Sequence, residues 1–244
     1  MKSTLVRCRL SGAGGSLTAK SSERLMTNNE LKDDEQRTQD GPALHPSARI
    51  PVPFARVFCA VELPAEVRAR AAGHIERLRD AAGDVRAGWE RAEKMHLTLK
   101  FLGEIETARV ADLSSAAERA VKLVQPFELS LAGAGAFPPR GLPRVLWLGV
   151  ADATSGLARL RHSLEDECER AGFARERKPF HPHLTIARLR GPSGARRFVA
   201  LHQEMSFSSD AFKIDELIVL RSQLGPRGST YMEVSRHRFM TSEA

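Results

Sequence analysis

One short phrase occurs twice in this 244-residue chain, as His96-Leu97-Thr98-Leu99 and, 87 residues later, as His183-Leu184-Thr185-Ile186. Both copies alternate polar and apolar residues, the two-residue period of a half-buried strand. Successive side chains of a strand point to opposite faces. His96 and Thr98 are therefore expected on one face, and His183 and Thr185 on one face of a second strand. Leu97, Leu99, Leu184 and Ile186 then turn into a core. With eight histidines and ten threonines in the chain, chance yields about 0.3 His-x-Thr. Two copies in matching surroundings call for a physical reason. Two such strands can place two imidazoles and two hydroxyls around one anion. A histidine pair suits acid–base chemistry near neutral pH, one neutral to accept a proton and one charged to donate it. The competing reading is a pair of strand histidines that only satisfy buried hydrogen bonds.

The charge balance points the same way. The formal net charge is +7 and the basic residues are mostly arginine, which favours an anionic partner such as RNA or a nucleotide. The three cysteines, Cys8, Cys59 and Cys168, have no close spacing. No disulfide framework or zinc signature follows, and a reducing cytoplasm is the expected compartment. Cys59 reads as a core residue. No carboxylate cluster with ligand spacing accompanies the histidines, so no metal or other cofactor is expected. His181-x-His183 has the look of a two-ligand pair, but Pro182 and the lack of a third ligand argue against it. No apolar run approaches the length of a membrane span.

Residues 1–53 differ from the rest, polar and with little periodicity, and are expected to form a disordered extension. The early part is basic and free of acids, as a transit peptide is, and a start at Met26 or a later codon is the third possibility. The folded part is expected over 54–240, with a short tail at 241–244. Strands are predicted over 56–63, 84–89, 96–102, 127–131, 145–150, 183–189, 214–221 and 230–238. Helices are predicted over 65–82, from an N-cap at Thr107 to about Val124, over 155–171 and over 196–205. Gly133, Gly135, Pro138, Pro139 and Gly141 read as a turn-rich loop. His74, His162 and His202 fall on helical patterns and read as surface, and Trp147 as core. The fold class is α+β: two lobes related by a pseudo-twofold axis, each an antiparallel sheet with outer helices, around a central cleft lined by the motif strands.

The phrases RVFCAVELP (56–64), HLTLKFLGE (96–104), GAFPPRGLPRVLWLGV (135–150), KPFHPHLTIARL (178–189) and LRSQLGPRGSTYMEV (220–234) together resemble one family. It is the RNA 2′,3′-cyclic phosphodiesterase, or 2′-5′ RNA ligase, family of the two-histidine phosphoesterases. The resemblance covers about residues 54–240 and implies the same bilobal fold. It implies hydrolysis of a terminal RNA 2′,3′-cyclic phosphate to a 2′-phosphate, with His96 protonating the O3′ leaving group and His183 activating water. Thr98 and Thr185 would donate to the non-bridging oxygens.

Arg188 is placed by the family near the phosphate or ribose. It lies five residues from His183, an odd spacing that puts it on the opposite face unless the strand ends or bulges. Lys100, four residues past His96, shares that face by parity and either meets RNA phosphate or is solvated. Phe180 beside the second motif is a candidate to stack a base. The family often has arginine where this chain has His181. Two rivals remain: a relative acting on a small cyclic nucleotide or a 2′-5′ oligonucleotide, and an RNA-binding module without catalysis. The expected partners are RNA ends or nucleotides, with no membrane, no obligate protein partner and a monomeric state.

Overall fold

The computed structural model describes residues 54–240 apart from 82, 84 and 227. The expected extension at 1–53 and tail at 241–244 lie outside the described residues. Along the chain run β1 (Phe54–Glu62), α1 (Ala65–Ala81), β2 (Ala87–Trp89), β3 (His96–Glu106), α2 (Val110–Val121), β4 (Phe127–Phe137), β5 (Val145–Ala151), α3 (Gly156–Arg170), β6 (His183–Leu189), α4 (Ala195–Glu204), β7 (Phe212–Ile214), β8 (Glu216–Gly225) and β9 (Gly228–Arg238). They build two antiparallel sheets, a four-stranded one ordered β3-β1-β8-β9 and a five-stranded one ordered β2-β6-β5-β4-β7. The α+β, two-sheet architecture is the one expected. The sheets are interleaved in sequence, so neither is a contiguous half of the chain.

The apolar stripes of the helices supply one continuous core. Val67, Ala71, Ile75 and Leu78 of α1, Leu113 and Ala117 of α2, and Leu157, Leu160 and Leu164 of α3 are all buried in it. α2 packs on β8 and β9, α4 packs on β4, and α3 touches both β3 and β4, one strand of each sheet. The Asp152 carboxylate accepts hydrogen bonds from the N–H groups of Gly156 and Leu157 at 2.8 and 3.0 Å, capping α3 with a negative charge at its N-terminus. A second, smaller apolar cluster of Phe58, Ala60, Ile218 and Leu220, with Tyr231 against it, covers the other face of the four-stranded sheet.

Several elements differ from expectation for identifiable reasons. Gly133 and Gly135 do not form a loop; both lie inside β4. Gly133 adopts φ +81° at a register shift between Leu131 and Ala134. A Cβ at Gly135 would sit 2.3 Å from the Trp147 ring, so the glycine lets indole pack flat on the strand. Thr107 opens a 3₁₀ turn, Thr107–Arg109, ahead of α2. β3 runs past Gly103, whose φ of +71° is accommodated within the strand. His74 and His202 are fully buried, not on the surface. His74 Nε2 and His202 Nδ1 lie 3.2 Å apart, and His202 Nε2 donates to the Trp147 carbonyl at 3.0 Å. That bond leaves His202 Nδ1 as an acceptor from His74. Helical periodicity marks an inward face but does not say that two inward histidines will meet.

Candidate active site

β3 and β6 approach each other where the two sheets meet. Glu90, Lys94, His96, Thr98, Phe101, Phe137, Val145, His183, Thr185, Arg188 and Tyr231 surround one pocket there, of about 150 Å³. Both histidines and both threonines are thus brought together, each half-buried. That volume is below the 300–1,000 Å³ typical of sites enclosing a drug-sized ligand, so it suits a phosphate group rather than a whole nucleotide. A neighbouring groove of about 270 Å³ shares Thr98, Phe101, Phe137 and His183 and adds Lys178, Phe180 and His181. A cavity of about 590 Å³ between the end of α1 and α4 is larger but contains neither motif.

The two imidazoles are held alike. His96 Nδ1 lies 2.7 Å from the Lys94 carbonyl, and His183 Nδ1 lies 2.7 Å from the His181 carbonyl. A carbonyl only accepts, so each Nδ1 carries the proton and each Nε2 is left for chemistry. His96 stacks near Phe58 at 4.9 Å between ring centroids and meets Tyr231 edge-on at 5.2 Å. His183 meets Phe137 edge-on at 5.0 Å.

Burial pulls both imidazoles below the ordinary histidine pKa. The nearby charges then act in opposite directions. The Glu62 carboxylate favours the charged form of His96, whereas the Arg188 guanidinium and His181 disfavour it at His183.

A β-bulge follows each motif at the same offset. On β3, Ala60 opposes Thr98 and Cys59 opposes Lys100, so Leu99 is the extra residue. On β6, Trp147 opposes Thr185 and Leu146 opposes Ala187, so Ile186 is the extra residue. One extra residue reverses the alternation beyond it. The fifth residue after each histidine therefore returns to the cleft: Phe101 in the first strand, Arg188 in the second. The bulge is the condition that Arg188 required.

The same bulge removes Lys100 from the cleft. Simple parity put it on the face of His96, but Lys100 is 3% exposed and donates to Glu165 Oε2 at 2.6 Å and to the Ala174 carbonyl at 2.8 Å. It is neither solvated nor placed to meet RNA. Phe180 is half-buried on the adjoining groove, with the Arg161 guanidinium 4.7 Å over its ring. Cys59 is buried, and burial holds its thiol pKa well up, as a core residue requires.

Phe101, Phe137, Tyr231, Glu90 and Lys94 join the site without having been singled out from the sequence. The signal for Phe101 was the shared offset of five, which regular alternation hides. Tyr231 and Lys94 meet the site from another direction: Lys94 Nζ donates to the Ser229 carbonyl at 2.5 Å, tying the β8–β9 hairpin to the entrance of β3. Among the described residues, no group of three His, Cys, Asp or Glu side chains is arranged to hold a metal ion. None of the described helices is long and apolar enough to cross a membrane.

The model of the 2′-5′ RNA ligase superfamily matches residues 65–226, a span that contains both motif strands and both bulges. This chain belongs to that superfamily. An RNA 2′,3′-cyclic phosphodiesterase of Methanothermobacter thermautotrophicus is 32% identical over 186 residues, covering 74% of this chain and 98% of the relative. One of Thermus thermophilus is 35% identical over 72% of this chain and 86% of the relative. Among solved structures, TT0787 of T. thermophilus superposes with TM-score 0.63 at 29% identity, over 75% of this chain and 97% of that one. Escherichia coli LigT complexed with 3′-AMP superposes with TM-score 0.58 at 28% identity, over 78% of this chain and all of that one. The fold is thus that of the two-histidine phosphoesterases.

Proposed function

We propose that this protein is an RNA 2′,3′-cyclic phosphodiesterase that opens a terminal cyclic phosphate to a 2′-phosphate by metal-independent acid–base catalysis from His96 and His183. The observation that carries this reading is the matched pair of imidazoles, each with Nδ1 held by a carbonyl two residues back, facing one small pocket. The names of the superfamily members above support the substrate class.

His183 Nε2 accepts a proton from water as the new P–O bond forms. His96 Nε2, charged at the outset, donates its proton to O3′ as the P–O3′ bond breaks. Glu62 beside one imidazole and Arg188 beside the other favour this division, because they stabilise the imidazolium where a proton is given and the neutral ring where one is taken. Thr98 and Thr185 hydroxyls and the Arg188 guanidinium are suited to the non-bridging oxygens, whose charge rises in the transition state. Phe101, Phe137 and Phe180 offer ring faces for the base in the adjoining groove.

The test is turnover of a short RNA ending in a 2′,3′-cyclic phosphate, in EDTA, with 2′- and 3′-phosphate products separated. Wild type should give the 2′-phosphate, and His96→Ala and His183→Ala should each fall by about two to four orders of magnitude. Folded wild type without turnover would overturn the reading. Activity that vanishes in EDTA would overturn its metal-free part.

A further inference from the structure

Arg188 is not the only arginine on its face of the five-stranded sheet. β2 is the edge strand and pairs with β6 so that Gly88 opposes Arg188. One step further out, the Arg190 N–H donates to the Arg86 carbonyl at 2.8 Å. Directly opposed residues, and residues two apart on one strand, share a face. Arg86, Arg188 and Arg190 therefore project from the same face, and all three are exposed.

Gly88 makes this arrangement possible. A Cβ there would lie 3.2 Å from the Arg190 guanidinium, so that group lies across the glycine, in the space beside Arg188. Arg119, Arg175 and Arg236 are neutralised by carboxylates elsewhere in the fold. Among the described residues, Arg86, Arg188 and Arg190 have no carboxylate within ion-pair distance. Glu90 lines the pocket with Arg188 and its carboxylate feels that charge, so Arg86 and Arg190 are the pair left to gather an outside anion, since like charges side by side repel unless an anion lies among them.

We propose that Arg86 and Arg190 form a track for the phosphodiester backbone of the RNA strand entering the cleft, so that the enzyme selects oligonucleotide ends over lone cyclic nucleotides. The inference rests on the proposed function for the position of the reacting phosphate. With that group between the histidines and Arg188, Arg190 lies just beyond the end of β6 leading away from it, and Arg86 lies across from Arg190 on the segment entering β2. The backbone sets the spacing of Arg190 from Arg188 at about 6.6 Å for two residues, and Arg86 widens the same step across the strand pair. An exposed arginine line recognises phosphate without reading bases, so the track adds affinity and salt dependence rather than sequence preference.

The full-length chain is compared with Arg86→Gln/Arg190→Gln and with the Arg86→Lys/Arg190→Lys control. One arm measures kcat/KM on a nucleoside 2′,3′-cyclic phosphate and on a six-nucleotide RNA with the same end. The expected result is a wild-type preference for the RNA, a fall of about tenfold in that preference for the glutamine variant, and partial recovery with lysine. The second arm measures binding of a fluorescent six-nucleotide RNA carrying a terminal 2′-phosphate across a salt series. The slope of log affinity against log salt should become shallower by about 1.4, from two lost phosphate contacts on a single strand.

Equal losses on both substrates, or unchanged RNA binding at every salt concentration, would overturn the track. Absence of wild-type turnover would overturn the proposed function instead, and the binding arm would still decide the track.

Discussion

Lys100 Nζ lies 2.6 Å from Glu165 Oε2, in an ion pair whose side chains are 1% and 3% exposed. The pair spans β3 and α3, and it organises more than itself. Glu165 Oε2 also accepts the Glu176 N–H at 3.1 Å, and Lys100 holds the Ala174 carbonyl. Arg161, one turn earlier on α3, donates to the carbonyl of the bulged Leu99 at 3.3 Å. One helix therefore ties the β3 bulge to the segment that leads into the second motif. Removing Lys100 takes away the shortest of the partners of Glu165 in the interior, leaving Arg161 at 3.5 Å and the Glu176 N–H. Lys100→Met should cost up to about 3 kcal/mol in urea unfolding, because Arg161 still faces Glu165, and Lys100→Met/Glu165→Leu should cost less. Wild-type stability in the single variant would show the pair to be dispensable.

Activity should be greatest on the acid side of an ordinary histidine. Burial lowers both imidazole pKa values below about 6.5. The base must be neutral, so the rate rises through its pKa; the acid must be charged, so the rate falls through its own. Profiles of kcat/KM against pH should peak below about 6.5. Imidazole titrations by NMR assign the sites. Arg188→Gln removes a charge that opposes protonation and should raise the pKa of His183; Glu62→Gln should lower that of His96. Unmoved titrations in both variants would discard the assignment of acid and base from local charge.

The threonines are predicted to act late. Thr98→Val and Thr185→Val keep the shape and remove the hydroxyl. If the hydroxyls meet oxygens whose charge grows in the transition state, each variant should lose about 10²–10³ in kcat with little change in KM. A rise in KM alone would assign them to ground-state binding.

The buried His74–His202 pair should make stability fall in acid. Burial, with His202 and Arg77 nearby, depresses His74 to about 4. The unfolded chain, with its histidine near 6.5, binds more protons between those values. The stabilisation from neutral His74 is complete above about 6.5 and is lost as pH falls towards about 4, a change on the order of 3 kcal/mol. Urea midpoints at pH 7, 5.5 and 4.5 should show it, and His74→Leu should flatten that slope. A slope unaltered in His74→Leu would place the acid sensitivity elsewhere.

Which residues face the cleft was legible only as far as alternation stays regular. His96, Thr98, His183 and Thr185 precede the bulges, and the two-residue period placed them correctly on shared faces. Leu97, Leu99, Leu184 and Ile186 are buried as that period requires. The helical stripes of α1, α2 and α3 were equally readable, because burial of an apolar face is a local pattern. What alternation could not supply was the extra residue at Leu99 and at Ile186, since a bulge is defined by the partner strand and not by the strand itself. Tertiary pairing alone therefore exchanged Lys100 for Phe101, returned Arg188 to the site, paired His74 with His202 and brought Tyr231 against His96. The chain specified two histidines on two half-buried strands; the register between strands decided what surrounds them, because face and partner depend on contacts made far along the sequence.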